Sequence, residues 1–173
     1  MYYGALEAGG TKMVCAIGDA DKNIIDRISI PTGTPDQSVP AMIDYFKKYD
    51  ISALGIGTFG PADINPNSPT YGSIMRSPKK DWEGFSLYKA FTDALGCLVV
   101  VDTDVNAAAW GEYLYGALKG LNSGMYLTVG TGIGGGIISD GRLIHGMEHP
   151  ETGHILIPRR TGDDIPCTCR FHQ

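Results

Sequence analysis

The last seven residues, CTCRFHQ, place Cys167, Cys169 and His172 within six positions. Thiolate and imidazole are zinc ligands, and a structural zinc wants four of them in a tetrahedron. Upstream, HGMEHPETGHI carries His145, His149, Glu151 and His154. His154, Cys169 and His172 are spaced as three ligands of one zinc can be, with Cys167 spare or replacing Cys169. The plain alternative is a reduced cysteine pair at a frayed terminus. Glu151 and His154 stand three residues apart, so a helical turn would put them on one face.

Two acids, Asp102 and Asp104, flank Thr103 where VVVDTDVNAAAWGE passes from an apolar strand into a helix. Asp104 falls at the carboxyl end of that strand, where open α/β sheets gather their ligands. Acids this close are poor neighbours unless a cation or a substrate hydroxyl lies between them. Asp104 is either the helix N-cap or a general base that takes a proton from an attacking hydroxyl. The sequence leaves both roles open.

Glycine supplies the third kind of chemistry. Gly9, Gly10, Thr11 and Lys12 form one cluster, and Gly130 through Gly136 another. The second matches G-x-G-x-x-G, but that fingerprint must open a helix, and here GIISDG continues as a strand. No G-x-x-x-x-G-K-[ST] occurs. Threonine beside glycine offers hydroxyl and amide donors together, which phosphate oxygens need. Two hairpins with ordinary glycine turns are the alternative.

These groups need elements to position them. YYGALEAGGTKMVCAI (2–17) reads as two strands joined by a glycine turn, and Asn23–Ile30 as a third. SVPAMIDYFKKY has the cap, at Ser38, and the spacing of an amphipathic helix. ALGIGTFG (53–60) is a buried strand, 61–85 a long loop of the kind that is functional or disordered, SLYKAFTDAL a helix, CLVVVD a central strand and DVNAAAWGEYLYG a helix opening at Asp104. MYLTVGTGIGGGIIS is strand, glycine turn, strand. Residues 6–17 and 127–138 share one plan, which suggests an internally duplicated α/β protein with two backbone-amide loops facing across a cleft.

With 173 residues and 43% apolar content the chain can bury a core. Its net charge of −5 disfavours a nucleic-acid surface. No stretch approaches the length of a membrane-spanning helix, and MYYGALEAGG lacks the features of a secretory leader. Cys15 and Cys97 lie in apolar strand-like runs and read as buried free thiols. A reducing cytoplasm is the expected location.

EAGGTK (7–12), GIGTFGP (55–61), SPKKDW (77–82), DTDVNAA (102–108), VGTGIGGGI (129–137) and HPETGH (149–154) come in the order found in the ROK (repressor, open reading frame, kinase) sugar kinases. The chain resembles that family from end to end. SPKKDW and the HPE form of the signature resemble its bacterial fructokinases. The resemblance implies an α/β, actin/hexokinase-like (ribonuclease H-like) fold, a mixed sheet with flanking helices in two lobes around a cleft. The lobes are read as 1–118 and 119–173, the second incomplete.

It also implies ATP-dependent conversion of D-fructose, or a related hexose, to the 6-phosphate with Mg²⁺, and a homodimer in the full-length form. By motif match, Asp104 is the base, and Gly60, Pro61, Asn106, Glu151 and His154 line or hold the sugar. Gly9, Gly10, Thr11 and Lys12 meet the phosphates from one side, and Gly130, Thr131 and Gly132 from the other. The resemblance also implies a structural zinc site whose cluster resembles C-x-x-H-x-x-C. Cys169 and His172 match its first two ligands, His154 is the upstream one, and the fourth lies beyond Gln173 unless Cys167 substitutes. Glu7 departs from the aspartate usual in the wider superfamily, although the fructokinase branch shares it. The family's kinases continue past this length, so a partial enzyme with weak or absent zinc is expected. ROK repressors carry a DNA-binding helix-turn-helix before this core. With the phosphate loop starting at residue 7, that reading is disfavoured.

Overall fold

The computed structural model of the chain describes residues 1–164 apart from 78, 131, 147–149, 156, 159 and 163. Its first sheet has five strands in the order β3-β2-β1-β4-β5. These are β1 (Tyr2–Ala8), β2 (Lys12–Asp19), β3 (Ile24–Pro31), β4 (Ile51–Thr58) and β5 (Leu98–Thr103). β1 pairs antiparallel with β2 and parallel with β4, and β4 pairs parallel with β5, so the sheet is mixed. Alternation along β1 buries Leu6 and Ala8, while β2 buries Met13, Val14, Cys15 and Ile17 in an almost unbroken run. That is the pattern of an interior strand covered on both faces.

Helices α1 (Pro35–Phe46) and α2 (Leu87–Leu95) carry the parallel crossovers. Their buried residues Met42, Tyr45, Phe46, Leu87 and Phe91 close the core over Leu6, Ile17, Leu54, Ile56, Val99 and Val101. The first helix starts three residues before the expected Ser38. Thr34 is its N-cap, Pro35 stands at its first position, and the Gln37 side chain accepts from the Thr34 N–H at 3.2 Å. Proline there needs no donor and is preset for helix. Ser38 is buried inside the helix, and its hydroxyl accepts from the Gly33 N–H.

A second correction concerns β5, expected as a central strand. Among the described residues it is the outer strand of the sheet, with β4 as its neighbour. Its outer edge is not bare. The Tyr71 hydroxyl donates to the Val101 carbonyl at 2.8 Å and accepts from the Val101 N–H at 2.7 Å, as a sixth strand would. Tyr71 comes from the 61–85 segment, which two isolated bridges, Ala62 with Ile74 and Ser73 with Ser86, tie into a compact form. Trp82 is buried beneath that segment, its indole N–H donating to the Gly33 carbonyl. Cys15 is buried, and burial pushes its thiol up to about 12; Cys97 precedes β5 and is half-buried.

The second sheet has the order β6-β7-β8, with β6 (Gly124–Val129), β7 (Ile133–Ser139) and β8 (Arg142–Leu143). The residues after Gly132 do continue as a strand, as the rejection of the dinucleotide fingerprint required. Helix α3 (Asp104–Tyr115) follows β5 directly and packs against β4 and β5 of the first sheet and β6 and β7 of the second.

Candidate active site

Everything in the site turns on the first turn of α3. Thr103 is its N-cap, with the hydroxyl accepting from the Asn106 N–H at 3.0 Å. Asp104 is therefore the first helical residue and not the cap, so one of the two roles open in the sequence falls to its neighbour. An acid at that position complements the helix dipole. One Asp104 carboxylate oxygen accepts from the Val105 N–H at 2.8 Å.

Glycines bring two strands against this turn. A Cβ on Gly57 of β4 would lie 3.0 Å from the Ala107 Cβ and 3.3 Å from the Asp104 Cα. On the other side, a Cβ on Gly136 of β7 would run into the Val105 carbonyl oxygen. The glycine run of 130–136 thus divides in two. Gly136 is needed for close helix–strand packing, whereas a Cβ on Gly130 or Gly132 would meet open space.

A cavity of about 710 Å³ lies between the sheets. The ends of β1, β4 and β5 and the first two turns of α3 form one side, and Tyr126, Thr128 and Leu143 the other. Three acids line it: Glu7, Asp102 and Asp104. Each hairpin lends a strand to it, β1 through Glu7 and β6 through Thr128, and each glycine turn begins two residues further on. Each turn is closed by its own bond, Gly9 N–H to the Lys12 carbonyl at 3.0 Å and Gly130 N–H to the Gly132 carbonyl at 2.9 Å. Thr32 braces the first turn, donating its hydroxyl to the Gly9 carbonyl and its N–H to the Thr11 carbonyl. Gly10, Thr11 and Lys12 are exposed, as are Gly130 and Gly132; Thr131 lies outside the described residues.

Asn106 is buried, its amide donating to Asp102 at 2.8 Å, while its Oδ1 has no partner among the described residues. Gly60 and Pro61, joined by a cis peptide, are half-buried just past β4. Glu151 caps and His154 ends a single 3₁₀ turn, Thr152–His154, with the His154 Nδ1 at 3.3 Å from the Glu151 carboxylate. Thr152 fastens this turn to β7, donating its hydroxyl to the Gly135 carbonyl. Cys167, Cys169 and His172 lie outside the described residues, and among those described no three potential ligands converge on a metal site.

One contact has no precursor in the sequence reading. His145 Nε2 lies 2.6 Å from the second carboxylate oxygen of Asp102. The two are 43 residues apart, and no spacing rule joins them. The only hint was an acid in need of a partner and a histidine without one.

A sequence profile described as the ROK family matches residues 3–173. The chain is 46% identical over 173 residues to a fructokinase of Lactococcus lactis subsp. cremoris, covering 99% of this chain and 59% of that protein. It is 42% identical over 173 residues to a fructokinase of Pediococcus pentosaceus, covering 100% of this chain and 60% of that one. Among solved structures, a ROK family glucokinase from Streptomyces griseus, in complex with glucose and AMPPNP, superposes with a TM-score of 0.78 at 32% identity. That match covers 91% of this chain and 51% of the glucokinase. The chain therefore spans between half and two thirds of the length of these three relatives.

Proposed function

The chain belongs to the ROK family, and from that premise we propose that it forms the catalytic first half of an ATP-dependent hexose kinase acting on D-fructose. The observation that carries the proposal is Asp104. It stands at the start of α3, relieved of capping by Thr103, on a cavity that both glycine hairpins border. The sheets and helices around it are those of the actin/hexokinase-like sugar kinases to which the chain superposes.

In this reading the Asp104 carboxylate takes the proton of the sugar O6 hydroxyl. The oxygen forms a bond to the γ-phosphorus, the bond from that phosphorus to the bridging oxygen breaks, and ADP leaves. Gly10, Thr11 and Lys12 receive phosphate oxygens from one side, with Gly9 shaping their turn, and Gly130, Thr131 and Gly132 receive them from the other. Preorganised donors of this kind lower the barrier by stabilising charge without reorganising. Glu151, His154 and the unpartnered Oδ1 of Asn106 are assigned to sugar hydroxyls, with Gly60 and Pro61 as pocket wall.

Magnesium is held through few protein carboxylates plus phosphate and water. Glu7 and Asp104, both on the cavity, would hold it, and the ion would neutralise phosphate charge. For zinc, the donor set offered is imidazole and thiolate. His154, Cys169 and His172 are the proposed ligands, with Cys167 as a further one. The choice of fructose rests on the names of the relatives.

A coupled ADP-release assay tests the proposal. Fructose-dependent turnover is expected with Mg-ATP, and Asp104→Asn should lower kcat by about 10²–10⁴-fold. Absence of fructose-dependent turnover, or an Asp104→Asn variant as fast as the parent, overturns it.

A further inference from the structure

Asp102 is placed to do more than fill the end of β5. Its Oδ1 accepts from the Thr103 N–H at 2.7 Å and from the Asn106 side-chain amide at 2.8 Å, so this oxygen belongs to the first turn of α3. Its Oδ2 lies 2.6 Å from His145 Nε2, which follows β8 in the second sheet. One carboxylate thus joins the helix start carrying Asp104 to the strand end that leads into the Glu151–His154 turn. Like Val100, it lines two cavities. Asp102 lines the 710 Å³ cavity, and together with His145, Asn65 and Tyr71 it lines a second of about 610 Å³.

We propose that the His145–Asp102 contact is a positioning latch: it holds the first turn of α3, and so the Asp104 carboxylate, in register with the second sheet and the sugar-binding turn. Two features argue against an incidental surface pair. The Asp102 side chain is only 23% exposed, and it makes three contacts with both oxygens used. A carboxylate in that state has one orientation, and Asn106, buried behind it, cannot move without breaking its own bond. The glycine contacts press α3 between β4 and β7 but are apolar or steric, so they set the depth of the helix. The latch is directional and sets its rotation and the placing of its first residue. Misplacing a reacting group by about 1 Å costs on the order of 10²-fold in rate. His145 itself need not touch the substrate.

The inference rests on the proposed kinase reading where turnover is concerned, so the experiment carries a second readout that does not. His145→Leu removes the donor; His145→Gln keeps an N–H near the place of Nε2. In the fructose assay, His145→Leu is expected to lower kcat by roughly 10–100-fold, with the KM for ATP within about twofold, and His145→Gln to recover most of the loss. In the unliganded protein, amide exchange at Val105 and Asn106 should quicken about tenfold or more in His145→Leu and stay near the parent rate in His145→Gln. Unchanged exchange in His145→Leu overturns the latch whatever the turnover. So does a fall in kcat that the glutamine leaves unrepaired, or one shared equally by the KM for ATP. A parent without fructose turnover but with latch-dependent exchange overturns the substrate reading and leaves the latch standing.

Discussion

At the scale of single residues, the site works by division of labour among neighbours. Thr103 caps, Asp102 braces and Asp104 is left at the cavity, three roles in three consecutive positions. Thr103→Ala should cost about 1 kcal/mol of stability, and Thr103→Ser much less, as chemical denaturation will show. Asp63 makes a separate, pH-dependent contribution. Burial pulls its carboxyl upward, but bonds from the Ser68 and Thr70 hydroxyls and the Asn65 amide outweigh this and hold it below the usual carboxylate range. Its folded-state affinity for protons is thus lower than the unfolded one. The stabilisation is complete above the unfolded value of about 3.9 and is lost as pH falls through the folded one. Thermal melts of the parent and Asp63→Ala should therefore differ at pH 6 and draw together towards pH 2.

At the scale of elements, the packing of α3 makes a sharp distinction within one glycine run. Gly136→Ala would drive a methyl into the Val105 carbonyl, and an overpacked interior costs about 1–3 kcal/mol. Because the displaced group is the first turn of α3, activity should fall with stability. Gly130→Ala meets no atom within 4 Å, so its melting temperature should match the parent while the KM for ATP rises. A variant pair with the opposite pattern would reverse the two assignments. The Tyr71 hydroxyl at the β5 edge is the other device at this scale. Tyr71→Phe leaves the Val101 N–H and carbonyl without that partner, at a cost of about 1–3 kcal/mol, measurable by urea unfolding and by faster exchange of the Val101 amide.

At the scale of the whole molecule, two sheets share one helix, and the cavity is the space that sharing leaves. Leu98 and Val100 of β5 and Met125, Leu127 and Val129 of β6 are exposed, and Val100 lines the cavity. Among the described residues no helix is long and apolar enough to cross a membrane. If the cavity binds sugar, fructose at about 100 times its dissociation constant adds about 2.7 kcal/mol to folding. For a chain of this size that is a rise in melting temperature of roughly 5–10 °C. The same rise is expected in Asp104→Asn, since a base acts on the transition state; a shift with glucose and none with fructose would move the substrate assignment.

Local signals carried much of this protein. Period-two burial in β1, the apolar run of β2, the helix at SLYKAFTDAL and the strand after Gly132 are all contained within a few residues, and so was the placing of Asp104 at a strand end. The start of α1 was misplaced because Ser38 has a cap's chemistry in a buried position, and burial is not a local property. The edge position of β5 was hidden for a related reason, since a tyrosine thirty residues away does the work of a missing neighbour. The glycines of 130–136 look alike in sequence, yet the approach of α3 separates Gly136, which admits the helix, from Gly130 and Gly132, which face open space. The partner of Asp102 is His145, brought across 43 residues by the second sheet. The sequence by itself determined the elements and their chemistry, because propensity and periodicity act between near neighbours. Partnership among the polar side chains was left to the tertiary structure, because a hydrogen bond depends on distance in space and takes no account of distance along the chain.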